Sequence, residues 1–254
     1  MKKSTIKLLG LIGKPLGHSL SPQIQNKWIK HYQLNYDYQL FPLESCDDLR
    51  GFIKKNAIHG LNVTLPYKTE VIEHLDQLDA DAKAIGAVNT IKNENGKLSG
   101  YNTDMTGLDL TIGGRLKGNS KVLMLGAGGA AKAMAYLARK KGLRLDIYNR
   151  TEIKALQLAE QFNHSVVTLV DLYDQDYDVL INATSIGLRE NESPLEWLNF
   201  SKSPKFVFDM IYNPPKTRLL AEAESSGSQI MNGYAMLYNQ ARESFRIWTG
   251  IFPE

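Results

Sequence analysis

The chain reads as an α/β protein of two domains, an N-terminal α/β domain and a C-terminal domain of Rossmann type. Three observations carry this. Apolar runs of strand length alternate with helical stretches along the chain, the pattern of α/β folds. In the second half the runs 122–125, 166–172, 178–184 and 205–211 are nearly continuous, as in parallel strands buried on both faces. A glycine turn at 126–129 then follows one such run and opens an Ala-rich helical stretch.

The elements follow in order. Residues 6–13 form a strand, and a Gly/Pro loop leads to Ser21 and Pro22, placed as N-cap and first turn of a helix. Residues 36–43 alternate as a strand, 47–56 read as a short helix, 60–66 as a strand ending in a loop, and 67–75 as helix. Residues 86–104 read as a hairpin turning at Glu94-Asn95-Gly96. From about residue 105 the chain turns helical and the glycine-turn unit begins, and 233–250 form a long terminal helix. The predicted organisation is an N-terminal α/β domain over 1–104 and a C-terminal domain of Rossmann type over 105–232. Periodicity does not place the last helix, about 233–254; it is assigned to pack back on the first domain.

The run Gly126-Ala127-Gly128-Gly129-Ala130 sits between a strand and a helix, as in a dinucleotide-binding βαβ unit. Gly126 suits the tight turn, Gly128 the close approach of backbone N–H groups to a pyrophosphate, and the helix start the anion. The second strand ends in Asn149, Arg150 and Thr151, with Lys154 beyond, and not in an acid. An acid there would hold a ribose 2′-hydroxyl; cations suit a 2′-phosphate, which Arg grips with a fork of donors. The loop therefore reads as an NADP site. Arg150 and Lys154 could instead be a solvated helix start, but the helix dipole disfavours cations in a first turn.

Composition narrows the rest. Over 254 residues, 30 basic and 27 acidic side chains leave a net charge of +3, too little for nucleic-acid binding and compatible with an anionic small molecule. The single cysteine, Cys46, excludes an intrachain disulfide and a Cys-rich metal site and fits a reducing cytosol. No metal site is expected. The first fifteen residues lack the apolar core and cleavage site of a signal peptide, and no apolar run reaches the length of a membrane span. A cytoplasmic monomer or homodimer with no membrane partner is expected.

Polar residues collect where strands of the first half end: Ser19 and Ser21, then Asn62, Thr64 and Lys68, then Asn89 and Thr90, then Asn102, Thr103 and Asp104. Ligands of open α/β sheets bind beyond such ends. Singly, each has a plain structural explanation: a cap, a surface lysine, a turn. Beside a nicotinamide module they suit a small polyhydroxylated acid.

The segments GHSLSP, NVTLPYK, GAVNT, GYNTD, GAGGAA, NRT, NATSIG, DMIYNPPKT and GYAMLYNQA run in order from residue 17 to 241. In this the chain resembles the shikimate dehydrogenases. The resemblance implies reduction of 3-dehydroshikimate with NADPH, a step of aromatic amino-acid biosynthesis, in a cleft between a substrate domain and a Rossmann domain. It implies that Ser19 and Ser21 hold the substrate carboxylate, that Thr64, Asn89 and Gln240 contact the carboxylate or ring hydroxyls, and that Lys68 and Asp104 are the catalytic pair. It further implies Gly126 to Ala130 as the pyrophosphate loop and Asn149, Arg150, Thr151 and Lys154 as the 2′-phosphate clamp. Thr184, Ser185, Met210, Tyr212, Gly233 and Met236 match the walls around adenosine and nicotinamide, and Tyr212 is counted with the substrate residues too. Two departures stand out: Tyr234-Ala235 where the family often has a shorter, more apolar pair, and Lys154 where Arg is common, which weakens the phosphate grip.

Of the five histidines only His18 lies in a matching motif, and it reads as loop structure, which leaves Lys68 as the proton carrier. The competing readings are a quinate or NAD-preferring relative, against which Arg150 argues; a methylene-tetrahydrofolate dehydrogenase, from which NVTLPYK and NTD point away; and a non-catalytic NADPH-sensing binder, against which intact Lys68 and Asp104 speak.

Overall fold

The structure, a computed structural model, describes residues 6–17, 19–189, 191–196, 198 and 202–254. His18 lies outside them. The chain divides into two compact units, one of Met1–Gly107 with Tyr238–Glu254 and the other of Leu108–Leu237.

The first unit is built on a six-stranded mixed sheet. Its strands are β1 (Lys7–Gly13), β2 (Tyr36–Pro42), β3 (Ile58–Val63), β4 (Gln77–Leu78), β5 (Thr90–Glu94) and β6 (Lys97–Tyr101), in the order β2-β1-β3-β5-β6-β4. β1 pairs in parallel with β2 and β3, while β5 runs antiparallel to β3 and β6. The hairpin turns at Asn95 and Gly96, both with positive φ (56° and 91°), the conformation an Asn-Gly turn supplies. Leu49, Ile53, Leu61, Val63, Val71, Val88 and Ile91 form the buried cluster on which the sheet packs.

Helices flank this sheet: α1 (Ser21–His31), α2 (Leu49–Lys55), α3 (Ala80–Ile85), α4 (Thr103–Ile112) and, after the second unit, α8 (Tyr234–Thr249). α2 is capped by Asp48, whose carboxylate accepts from the Gly51 N–H. Trp248 of α8 donates from Nε1 to the carbonyl of Ile91 at 2.9 Å and is 3 % exposed. Gly60 leaves room for that indole: a Cβ there would lie 2.3 Å from Trp248 Nε1.

Two expectations are corrected in this unit. Ser21 is not the N-cap of α1. The cap is Leu20, already in helical conformation and without a side-chain bond, so the helix starts one residue early. The Ser21 N–H instead donates to Ser19 Oγ at 3.3 Å. Residues 67–75 do not make an α-helix; a 3-10 turn covers only Glu70–His74 before the chain extends at Leu75 into β4. β4 and α3 escaped the sequence reading, because two residues of strand and six of helix carry too little periodicity.

The second unit has an all-parallel sheet of β7 (Lys121–Leu125), β8 (Arg144–Tyr148), β9 (Ser165–Val166), β10 (Val179–Asn182), β11 (Phe206–Asp209) and β12 (Gln229–Met231). Their order is β12-β11-β10-β7-β8-β9. The strand order reverses between β7 and β10, the switch point where a doubly wound sheet binds its ligand. α5 (Gly129–Lys140), α6 (Glu152–Phe162) and α7 (Arg218–Ser225) flank the sheet, and Leu123, Leu125, Leu180, Val207, Leu219 and Leu220 are buried between them. The run 166–172 is not a strand beyond Val166. Asp171 Oδ2 accepts from the Thr168 N–H and hydroxyl at 2.8 and 2.7 Å, which folds the chain into a turn before a second 3-10 segment at Asp171–Asp174. α7 and β12 were also not foreseen.

Candidate active site

In the first unit the polar candidates come from loops that backbone bonds draw together. The Thr64 N–H donates to Ile12 O, the Val63 N–H to Asn89 O, the Val88 N–H to Lys68 O and the Asn89 N–H to Tyr101 O. The loops after β1 and β3, the segment before β5 and the start of α4 therefore meet at one end of the sheet.

There Lys68 Nζ donates to Asp104 Oδ2 at 2.6 Å, with side chains 14 % and 7 % exposed. Asp104 stands in the first turn of α4, where the helix dipole favours a carboxylate. Its other oxygen accepts from Asn89 Nδ2 at 2.9 Å. Asn89 is fixed in turn, since its Oδ1 accepts from the Thr103 N–H at 2.8 Å and from Thr90 Oγ1 at 3.1 Å. Gln240 of α8 joins through Oε1, which accepts from Asn89 Nδ2 and from Thr103 Oγ1, both at 3.3 Å. Those bonds use the Gln240 amide through its oxygen, and its NH₂ remains a donor.

Two residues of this array were not singled out from sequence. Ser244 accepts from Asn62 Nδ2 at 3.0 Å and lies 2.8 Å from Thr90 Oγ1 and 3.1 Å from Thr103 Oγ1. Its spacing of four from Gln240 puts both on one helix face, the signal that could have found it. Tyr38, 2 % exposed, donates to Asn62 Oδ1 at 2.8 Å, and burial pushes its phenol far above the usual range. Its only signal in the sequence is its place in the alternating run 36–43. Ser21 is buried and Ser19 half-buried, and the Ser21 backbone N–H holds the Ser19 hydroxyl at the start of α1.

In the second unit the glycine turn closes as expected. The Gly126 N–H donates to Tyr148 O at 2.8 Å and its φ is +108°. A Cβ there would come within 2.8 Å of Ala183 O, so only glycine lets the ends of β7 and β10 meet. Gly128 caps α5 without a side-chain bond, and a Cβ on it would meet no atom within 4 Å. α5 thus offers its first N–H groups with neither cap nor acid in the first turn, which suits a pyrophosphate.

Beyond β8, Asn149 Nδ2 donates to Thr151 O at 2.8 Å, and Thr151 is the N-cap of α6. Arg150 and Lys154 are exposed and belong to no ion pair among the described residues, so their charges are available to a phosphate. Thr184 and Ser185 follow β10, and Met210 and Tyr212 follow β11. A Cβ on Gly233 would lie 2.0 Å from Met210 O, and Met236 is buried. Tyr212 thus stands with the cofactor set in the second unit, whereas the other substrate candidates stand in the first.

Among the described residues no cluster of His, Cys, Asp or Glu could hold a metal, and no helix is long and apolar enough to cross a membrane.

A mixed α/β unit carrying an ammonium–carboxylate pair, together with a doubly wound dinucleotide unit, defines an oxidoreductase that uses a nicotinamide cofactor. The first unit matches the shikimate dehydrogenase substrate binding domain over residues 11–91, and the second matches the shikimate / quinate 5-dehydrogenase model over 110–216. The chain belongs to the shikimate dehydrogenase family. It is 42 % identical to shikimate dehydrogenase (NADP(+)) of Methanococcus aeolicus, covering 100 % of this chain and 96 % of that one. The crystal structure of shikimate dehydrogenase from Aquifex aeolicus superimposes with a TM-score of 0.90 at 37 % identity, covering 100 % and 96 %. Shikimate 5-dehydrogenase of Thermus thermophilus in complex with NADP(H) and shikimate gives 0.88 at 35 % identity, covering 98 % and 95 %.

Proposed function

We infer that Lys68 and Asp104 are the proton-transfer pair of an NADP-dependent shikimate dehydrogenase, which interconverts 3-dehydroshikimate and shikimate in aromatic biosynthesis. The observation that carries the assignment is the chain Lys68–Asp104–Asn89. It is a buried acid/base whose position is fixed by a carboxylate that is itself fixed by an amide.

When bound, NADPH supplies the hydride to the ketone carbon. As negative charge develops on the ketone oxygen, the Lys68 ammonium donates a proton there; in the oxidative direction the neutral amine takes it back. Asp104 Oδ2 holds the lysine through one strong bond. Asn89 keeps Asp104 Oδ1 occupied, so the carboxylate cannot rotate away from Lys68. Ser19 and Ser21 would donate their hydroxyls to the substrate carboxylate. Thr64 and Asn89 would border the ring hydroxyls, and the NH₂ of Gln240 would be a further donor. In the second unit, the turn Gly126 to Ala130 would hold the pyrophosphate and Asn149, Arg150, Thr151 and Lys154 the 2′-phosphate. Thr184, Ser185, Met210, Tyr212, Gly233 and Met236 would border adenosine and nicotinamide. A cytoplasmic monomer or homodimer completes the proposal; the single Cys46 fits a reducing cytosol.

The test is oxidation of shikimate followed at the nicotinamide absorbance, with quinate and NAD as comparators. Turnover with shikimate and NADP is expected to exceed both alternatives. Preference for quinate or NAD would overturn the assignment, and binding of NADP without turnover would favour a sensor.

A further inference from the structure

Among the described residues the buried carboxylates are Asp104 and Asp209, and the proton-transfer pair leaves Asp209 without a role. Asp209 ends β11, is 0 % exposed, and has no ion pair among the described residues. Its carboxyl is nevertheless fully committed. Oδ1 accepts from Asn182 Nδ2 and from the Ile211 N–H, both at 3.0 Å, and Oδ2 accepts from Thr217 Oγ1 at 2.7 Å.

These donors belong to three different segments. Asn182 ends β10, and its Oδ1 accepts both the N–H and the hydroxyl of Thr184, at 3.1 and 2.7 Å. The Thr184 hydroxyl in turn accepts from the Ile186 N–H at 3.1 Å. Ile211 stands between Met210 and Tyr212, and its carbonyl accepts from the Gly233 N–H at 3.0 Å. Thr217 is 1 % exposed and caps α7, accepting from the Leu220 N–H at 3.3 Å. Met210 closes the ring, since its N–H donates to Asn182 O at 3.0 Å. The loops so joined carry Thr184, Ser185, Met210 and Tyr212, and they abut the glycine turn where Gly126 approaches Ala183 O.

We propose that Asp209 is a positioning residue for the dinucleotide: its carboxyl staples the loops after β10 and β11 to the start of α7 and sets the wall that receives the nicotinamide half. This rests on the NADP reading above. Asp209 touches no reacting atom; it acts through Asn182, Thr184 and Ile211. A buried carboxyl without a countercharge is a poor device for stability alone, since an apolar residue would fill the place without desolvating a charge. Its value lies in accepting three bonds from fixed directions, which an apolar side chain cannot do.

The test measures NADP and shikimate affinities by titration calorimetry, below the unfolding temperature, for wild type, Asp209→Asn, Thr217→Val and Thr217→Ser. Asn at 209 replaces one acceptor oxygen by a donor, Val at 217 removes the hydroxyl, and Ser restores it. Asp209→Asn and Thr217→Val should each weaken NADP roughly ten-fold, leave shikimate affinity unchanged, and raise KM for NADP more than they lower kcat. Thr217→Ser should recover wild-type affinity. If Asp209→Asn fails to fold, the contrast between Val and Ser at 217 decides. A lowered melting temperature with unchanged NADP affinity would overturn the proposal, as would equal losses for both ligands. Failure of wild type itself to bind NADP would instead remove the cofactor reading.

Discussion

Lys68 Nζ and Asp104 Oδ2 stand 2.6 Å apart at one end of the first unit's sheet, 36 residues apart in the chain. One residue comes from the loop after β3 and the other from the first turn of α4. The Val88 N–H donates to Lys68 O, and its neighbour Asn89 accepts the Thr103 N–H through Oδ1 at 2.8 Å, so the segment before β5 bridges the two and the pair is held by more than charge.

Replacing Lys68 by Ala removes the proton donor and leaves the fold. A positioned acid/base is worth about 10²–10⁴ in rate, and kcat should fall by that factor while shikimate and NADP still bind. Stopped assays and equilibrium binding, with circular dichroism as a folding control, check this. Near wild-type kcat in folded Lys68→Ala would falsify the proton-transfer role. Asp104→Ala should harm both kcat and shikimate affinity, because it also removes the acceptor of Lys68 and one of the acceptors that fix Asn89.

Ser21→Ala tests the carboxylate subsite. Losing one hydrogen bond to a charged group costs about 1.5–3 kcal/mol, so KM for shikimate should rise and KM for NADP should stay. Since Leu20 is the cap of α1 and Ser21 gives it no side-chain bond, little stability should be lost. A large drop in melting temperature with unchanged KM would make Ser21 structural.

Arg150→Ala separates the two cofactors. Only NADP carries the 2′-phosphate, and the Arg150 guanidinium has no competing acid among the ion pairs of the described residues. Affinity for NADP should fall and affinity for NAD should hold, as read by cofactor titration. Equal losses would make the residue a structural part of the loop.

Asp209 predicts a pH dependence of stability. Burial raises its carboxyl to about 6 against the three hydrogen bonds that lower it. An acid with a folded pKa above its unfolded value, near 3.9, favours the folded chain most when protonated. Its contribution is full below about pH 4 and lost as pH rises through about 6, a change of about 3 kcal/mol. Thermal unfolding of wild type relative to Asp209→Asn should show wild type losing stability across that window. A constant difference from pH 4 to pH 7 would remove the effect.

Gly60→Ala tests the docking of α8. A new Cβ would sit 2.3 Å from Trp248 Nε1 and 2.5 Å from its Cδ1, against a ring anchored to Ile91 O. Overpacking of this kind costs about 1–3 kcal/mol, seen as a lower melting temperature. A wild-type melting curve would show that the indole can move aside.

The sequence by itself determined what depends on neighbouring residues. Continuous apolar runs gave β7, β10 and β11, Asn95-Gly96 gave the hairpin, and the Gly126–Gly129 turn with Asn149, Arg150 and Thr151 gave the dinucleotide unit and its cofactor. Candidate polar residues were legible one by one, because strand ends are where ligands bind. Tertiary structure alone decided which of them touch. Ser244 reaches Asn62 across 182 residues, Gln240 reaches Asn89 across 151, and Asp209 binds side chains 27 residues before it and 8 after it. The short pieces, β4 and the 3-10 turns, were likewise set by their surroundings. Periodicity and turn chemistry are local properties of a chain. The partner of a buried hydrogen-bonding group is fixed only when packing excludes water and leaves it one neighbour that can answer.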